Sequence, residues 1–130
     1  MAARSQGVTQ RRILVVDDNF DQANLLAVLL RSSGHDVHVA RDGHGALEAA
    51  HRLRPEFLFL DLSLPKMDGY QVARLLRADP ALSSMRIIAI TGHALEEDRE
   101  RSRDAGIDVH LVKPVDPRFL ESLLGPRPLR

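Results

Sequence analysis

Residues 13–19 read Ile13-Leu14-Val15-Val16-Asp17-Asp18-Asn19: four apolar side chains in a row, three of them β-branched, then two carboxylates and an amide. The run has the length of a strand and no polar residue between its apolar ones. Such a strand is buried on both faces, as in a parallel sheet with helices above and below. Similar short apolar runs stand at Val37–Ala40, Phe57–Leu60, Ile87–Ile90 and Val109–Val112. Each interval between them is long enough for one helix. Strand and helix therefore alternate five times, which argues an α/β sheet joined by right-handed crossovers.

The intervals carry helical signals. Phe20 to Arg31 sets Ala23, Leu26, Ala27 and Leu30 on one stripe, with Asp18 or Asn19 as cap and Gly34 after its end. Ala46, Leu47, Ala50 and Leu53 form a second stripe, stopped by Pro55, while Gly43 and Gly45 read as turn residues before it. A third helix runs from about Asp68 to Ala78 with Val72, Leu75 and Leu76 inward. The last opens with Asp116 as cap and Pro117 as its first residue, and buries Phe119, Leu120, Leu123 and Leu124. The fourth interval differs. Glu96-Glu97-Asp98-Arg99-Glu100-Arg101-Ser102-Arg103-Asp104 has almost nothing to bury until Ala105. It reads as a solvated helix supported by Glu97–Arg101 and Glu100–Arg103 pairs, and as the element freest to move.

Composition narrows the function classes. At 130 residues the chain holds one domain, expected over residues 12–124, between a loose arm (1–11) and a tail (125–130). Lys plus Arg and Asp plus Glu both number 18, so there is no electrostatic case for a nucleic acid or an anionic membrane as partner. The absence of cysteine excludes disulfides and thiolate chemistry and suits a reducing cytoplasm. No apolar run reaches the roughly 20 residues of a membrane span. His35, His38, His44 and His51 have no metal spacing and are expected on solvated faces.

Ligands of open parallel sheets bind beyond the carboxyl ends of the strands. There the apolar runs are followed by Asp17 and Asp18, by Asp61, by Thr91 and by Lys113-Pro114, whereas the second is followed by Arg41 and Asp42. Each alone is an ordinary cap or turn residue. Together they put three carboxylates, a hydroxyl and an ammonium on one edge. Clustered carboxylates resist ionisation unless a cation offsets them. Lys113 supplies one charge, and oxygen ligands without a dedicated cage suit Mg²⁺. A carboxylate there can attack a phosphoryl group. On this reading Asp61 is the nucleophile, Asp17 and Asp18 hold the metal, Lys113 pairs with phosphate oxygens and Thr91 senses the new group.

Four segments, ILVVDDN, FLFLDLSLPKMDGY, IIAITGHA and VHLVKPVD, resemble the response-regulator receiver domains of two-component phosphorelays, in order and spacing, from about Arg12 to Leu124. The wording DVHLVKP is similar to receivers fused to hybrid sensor kinases. The resemblance implies a flavodoxin-like, doubly wound, five-stranded parallel sheet in the order 2-1-3-4-5, with five helices in three αβα layers. It implies that Asp61 accepts a phosphoryl group from the phosphohistidine of a histidine kinase or phosphotransfer protein. It implies Mg²⁺ on Asp17, Asp18, Asp61 and the backbone carbonyl of Ser63, a cis Lys113–Pro114 bond, and Gly69 after Asp68 in the acceptor loop. Three residues before Lys113, where the family often has Tyr or Phe, stands His110, the expected partner of Thr91 in switching. Ser63 and His93 occupy positions that tune the phosphoryl lifetime. The implied output is the surface of the fourth helix, fifth strand and fifth helix, toward an unnamed protein partner.

The implied chain is no enzyme beyond phosphorylation and dephosphorylation at Asp61. Alternatives are a Mg²⁺-dependent aspartyl-phosphate phosphatase or a non-switching scaffold. The phosphatase class resembles Asp-x-Asp, which neither Asp17-Asp18 nor Asp61-Leu62-Ser63 matches. A flavin carrier needs a hydroxyl-rich phosphate loop where this chain has two aspartates.

Overall fold

The computed structural model describes residues 10–62, 64, 68–92 and 96–125, and for 96–99 the backbone only. The elements are β1 (Arg12–Val16), α1 (Phe20–Ser32), β2 (Asp36–Ala40), α2 (Gly43–Leu53), β3 (Phe57–Asp61), α3 (Gly69–Arg77), a 3₁₀ turn (Pro80–Leu82), β4 (Arg86–Thr91), α4 (Glu96–Asp104), β5 (Val109–Val112) and α5 (Pro117–Leu124). All strand pairs are parallel, in the order β2-β1-β3-β4-β5.

Strand alternation sorts the core into two layers. Ile13, Val15, Phe57, Phe59, Ile88 and Ile90 face α1 and α5. Leu14, Val16, Leu58, Leu60, Ile87 and Ala89 face α2, α3 and the residues after α4, Ala105 and Ile107. β3 lies between β1 and β4, and all five of its residues are buried. Burying each large apolar side chain there contributes about 1.5–3 kcal/mol. The helices begin at side-chain caps: Asn19 on α1, Asp42 on α2, Asp116 on α5, and Asp68 on α3 in a reciprocal capping box with Gln71.

Several expectations need correction. Leu75 and Phe119 are 50 % and 45 % exposed. The buried residues of α3 are Gly69, Tyr70, Val72, Ala73 and Leu76, and those of α5 are Leu120 and Leu124, so Leu75 and Phe119 each stand one residue before a buried leucine. Gly43 and Gly45 lie inside the first turn of α2, where the Gly45 N–H donates to Asp42. His35 is buried, and its Nδ1 accepts from the Arg11 backbone N–H at 3.0 Å. Arg11 is part of the fold and not of a loose arm. Its guanidinium is buried and donates to the carbonyls of Leu124 and Gly125, which the end of α5 would otherwise leave unsatisfied, and it pairs with Glu56. Arg101 turns away from its own helix, 4.0 Å from the Tyr70 ring centroid and 4.0 Å from the Asp68 carboxylate. Glu100 and Arg103 form no ion pair among the described residues. The Glu97 side chain lies outside the described residues, as do residues 1–9 and 126–130 of the arm and tail.

Candidate functional site

Register brings the acids together. Val16 pairs with Leu60, so Asp17, one residue on, comes level with Asp61. Ile90 pairs with Leu111 and Thr91 with Val112, so Lys113 lies just past the edge on the next strand. Parity adds a second constraint: Asp17, Asp61 and Lys113 continue the α1/α5 face, and Thr91 and His110 continue the opposite one.

Carboxylate oxygens of Asp17, Asp18 and Asp61 lie within 4.8 Å of one another. Asp61 is 5 % and Asp17 8 % exposed, whereas Asp18 is open to solvent. Lys113 Nζ donates to Asp61 Oδ2 at 3.1 Å and to Gln22 Oε1 at 2.8 Å. Asp17 Oδ1 accepts the Asn19 N–H at 2.9 Å. Burial raises the pKa of Asp17 above the ordinary aspartate value; the Asn19 N–H opposes this, and the charge of Asp61 adds to it. Thr91 is half-buried at the end of β4, and the Lys113–Pro114 bond is cis.

The donor set is three hard oxygens, two of them buried beside a single ammonium. That chemistry fits a divalent cation such as Mg²⁺. Asp17, Asp18 and Asp61 would hold it. Ser63 and His93 lie outside the described residues.

Sequence reasoning missed two contributors, Gln22 and Ser102, and named Gly69 without its packing role. Gln22 holds the second side of Lys113, from the first turn of α1. Gly69 packs against the residue after Asp61: a Cβ there would stand 2.8 Å from Leu62 Cα. Ser102, inside the charged stretch, is 3 % exposed, and its Oγ lies 3.1 Å from His110 Nδ1. Helical periodicity from Ala105 back three residues was the available signal for Ser102. Beside the site a mainly apolar cleft is lined by Leu25, Leu26, Leu29, Ile90 and Pro114, with Asp17 and Lys113.

Known proteins align with this geometry. Residues 13–124 match the response regulator receiver domain family. The polar-differentiation response regulator DivK of Brucella anthropi is 32 % identical over 114 residues, 87 % of this chain and 93 % of DivK. The DNA-binding response regulator MtrA of Mycobacterium tuberculosis is 40 % identical over 111 residues, 85 % of this chain; the match spans 47 % of MtrA, so the chain corresponds to about half of that relative. Among solved structures, the receiver domain of the sensor histidine kinase PA1611 of Pseudomonas aeruginosa superposes with a TM-score of 0.81 at 35 % identity. It covers 89 % of this chain and 95 % of that one, and that structure has magnesium coordinated in its active-site cleft. The chemotaxis protein CheY4 of Vibrio cholerae gives 0.83 at 26 % identity, over 88 % and 97 %. Fold, acid cluster and sequence agree: this chain belongs to the receiver-domain family of two-component response regulators.

Proposed function

We propose that Asp61 accepts a phosphoryl group from the phosphohistidine of a histidine kinase or phosphotransfer protein. The observation that carries this reading is the buried Asp61 carboxylate, held by an ammonium at 3.1 Å and within 4.8 Å of two further carboxylates. A carboxylate oxygen of Asp61 attacks phosphorus, the new P–O bond forms as the donor's P–N bond breaks, and the imidazole leaves. Lys113 bonds the oxygens on which charge collects, and Gln22 keeps its ammonium aimed at the site. Asp17, Asp18 and Asp61 would hold Mg²⁺, with the Ser63 carbonyl as the further ligand the family resemblance implies, and the bound ion would neutralise charge on the transferred oxygens. The Thr91 hydroxyl then donates to a phosphoryl oxygen, and the rearrangement reaches His110 and the α4–β5–α5 surface. Leu25 and Leu29 of α1 are exposed, line the cleft and offer the donor an apolar seat.

The test is intact-protein mass after incubation with a small acyl-phosphate donor, with and without Mg²⁺, on wild type and Asp61→Asn. One Mg²⁺-dependent phosphoryl adduct, absent from the variant, is expected. An adduct that survives Asp61→Asn refutes the assignment. No adduct and no Mg²⁺ binding in the folded wild type favours a scaffold that does not switch.

A further inference from the structure

Residue 102 is the exception in the most polar helix of the protein. α4 reads EEDRERSRD, and of its described side chains only Ser102 is buried. A serine in mid-helix ordinarily points to water or back-bonds to its own helix. Here the hydroxyl reaches the sheet, 3.1 Å from Nδ1 of His110 on β5. The β4–β5 register pairs Ala89 with His110, so Thr91, two residues on, shares a sheet face with that imidazole. The C-terminal side of α4 has a separate anchor: Arg77 donates to the Gly106 carbonyl at 2.7 Å and also to Asp108. Arg101, next to Ser102, rests over Tyr70 near the start of α3.

We propose that Ser102 is a positioning residue for the switch: its hydroxyl latches α4 to β5 through His110 and so restrains modification of Asp61. This rests on the phosphoacceptor reading above. The ring of His110 is tied to the helix that covers it, so ring and helix move as one unit. Any arrangement that draws Thr91 toward a modified Asp61, and His110 after it, must first break or carry the Ser102 bond. Linkage makes the effect reciprocal: what holds α4 down disfavours the modified state, and releasing α4 favours it.

The variant Ser102→Ala removes the hydroxyl and gains helix propensity, so the fold is kept. Two readouts are taken: amide hydrogen exchange across 100–112, and the rate of adduct formation from a small acyl phosphate with Mg²⁺. Both should rise roughly 2- to 10-fold, the equilibrium weight of one net hydrogen bond. In a His110→Phe background Ser102→Ala should add nothing to either, because the partner is already gone. Unchanged exchange, an unchanged adduct rate, or an equal effect of Ser102→Ala with and without His110 overturns the latch. An adduct missing from wild type overturns the phosphoacceptor reading itself, a failure seen without any variant.

Discussion

Replacing Asp17 with asparagine should make the metal-free protein more stable while abolishing its response to Mg²⁺. Asp17 is 8 % exposed, and its carboxylate shares a 4.8 Å neighbourhood with those of Asp18 and Asp61. Two unit charges that far apart repel by about 1 kcal/mol at the dielectric of water and about 3.5 kcal/mol at an effective value of 20. Lys113, bonded to Asp61, offsets part of this. The net cost of ionising Asp17 is then about 1–2 kcal/mol. Asparagine keeps an Oδ1 for the Asn19 N–H, now 2.9 Å from the carboxylate, so the entry to α1 survives the change. In a domain of this size the gain corresponds to roughly 5 °C in Tm. Thermal unfolding is followed in chelator and in saturating Mg²⁺. Wild type gains stability with the metal, by about 2.7 kcal/mol at a hundredfold excess over Kd, and the variant gains little. The pH dependence has a definite sign. The Asp17 pKa is raised, chiefly by burial, so the stability conferred by its protonated form is present below the ordinary aspartate value and lost as pH rises through the folded value. The variant's advantage is therefore absent in acid and complete near neutrality. Equal or lower stability of metal-free Asp17→Asn at neutral pH refutes the reasoning.

Other perturbations test the surroundings. Gly69→Ala sets a Cβ 2.8 Å from Leu62 Cα and 3.1 Å from the Asp61 carbonyl, backbone that does not yield easily. It should cost about 2–3 kcal/mol and slow adduct formation, and an unchanged urea midpoint would contradict that packing. Arg11→Ala strips two carbonyls and Glu56 of a buried guanidinium, for a loss of about 3 kcal/mol by chemical denaturation. Arg11→Lys should recover less than half of this, since one ammonium cannot serve all three. The pKa of His35 is lowered by burial and by Arg11, so its neutral form stabilises the fold. That stability is complete above the ordinary histidine value and declines as pH falls below it toward the folded value. His35→Asn should flatten the stability profile in that window, and a profile that keeps its slope assigns the loss to another group.

Legibility in the sequence followed the physics of each signal. Short apolar runs such as Ile13–Val16 and Phe57–Leu60 have no competing reading once both faces are buried, and all five strands stand where those runs do. The acids and Lys113 were legible because chain order alone puts them at strand ends. Contacts made by long or small side chains across the fold were not. Lys113 to Gln22 spans 91 positions and Arg11 to Leu124 spans 113, and no local pattern encodes either pair. Helix faces were readable only to about one residue. Leu75 and Phe119 are apolar and near the stripe, yet burial is decided by what the sheet offers opposite. Ser102 was hidden because a small hydroxyl among eight charged residues reads as one more solvated group.

The Arg11 clamp has an architectural consequence. One side chain near the start of the domain grips the carbonyls of Leu124 and Gly125, so entry and exit points adjoin at the edge of the sheet away from the acids. A domain with adjacent ends behaves as a cassette: it can be spliced into a loop of another protein, or permuted circularly through a short linker, without stretching either partner. The same closure ties the last turn of α5 to the start of β1, because that turn cannot fray without releasing the Arg11 guanidinium, while the Arg11 backbone N–H separately holds His35.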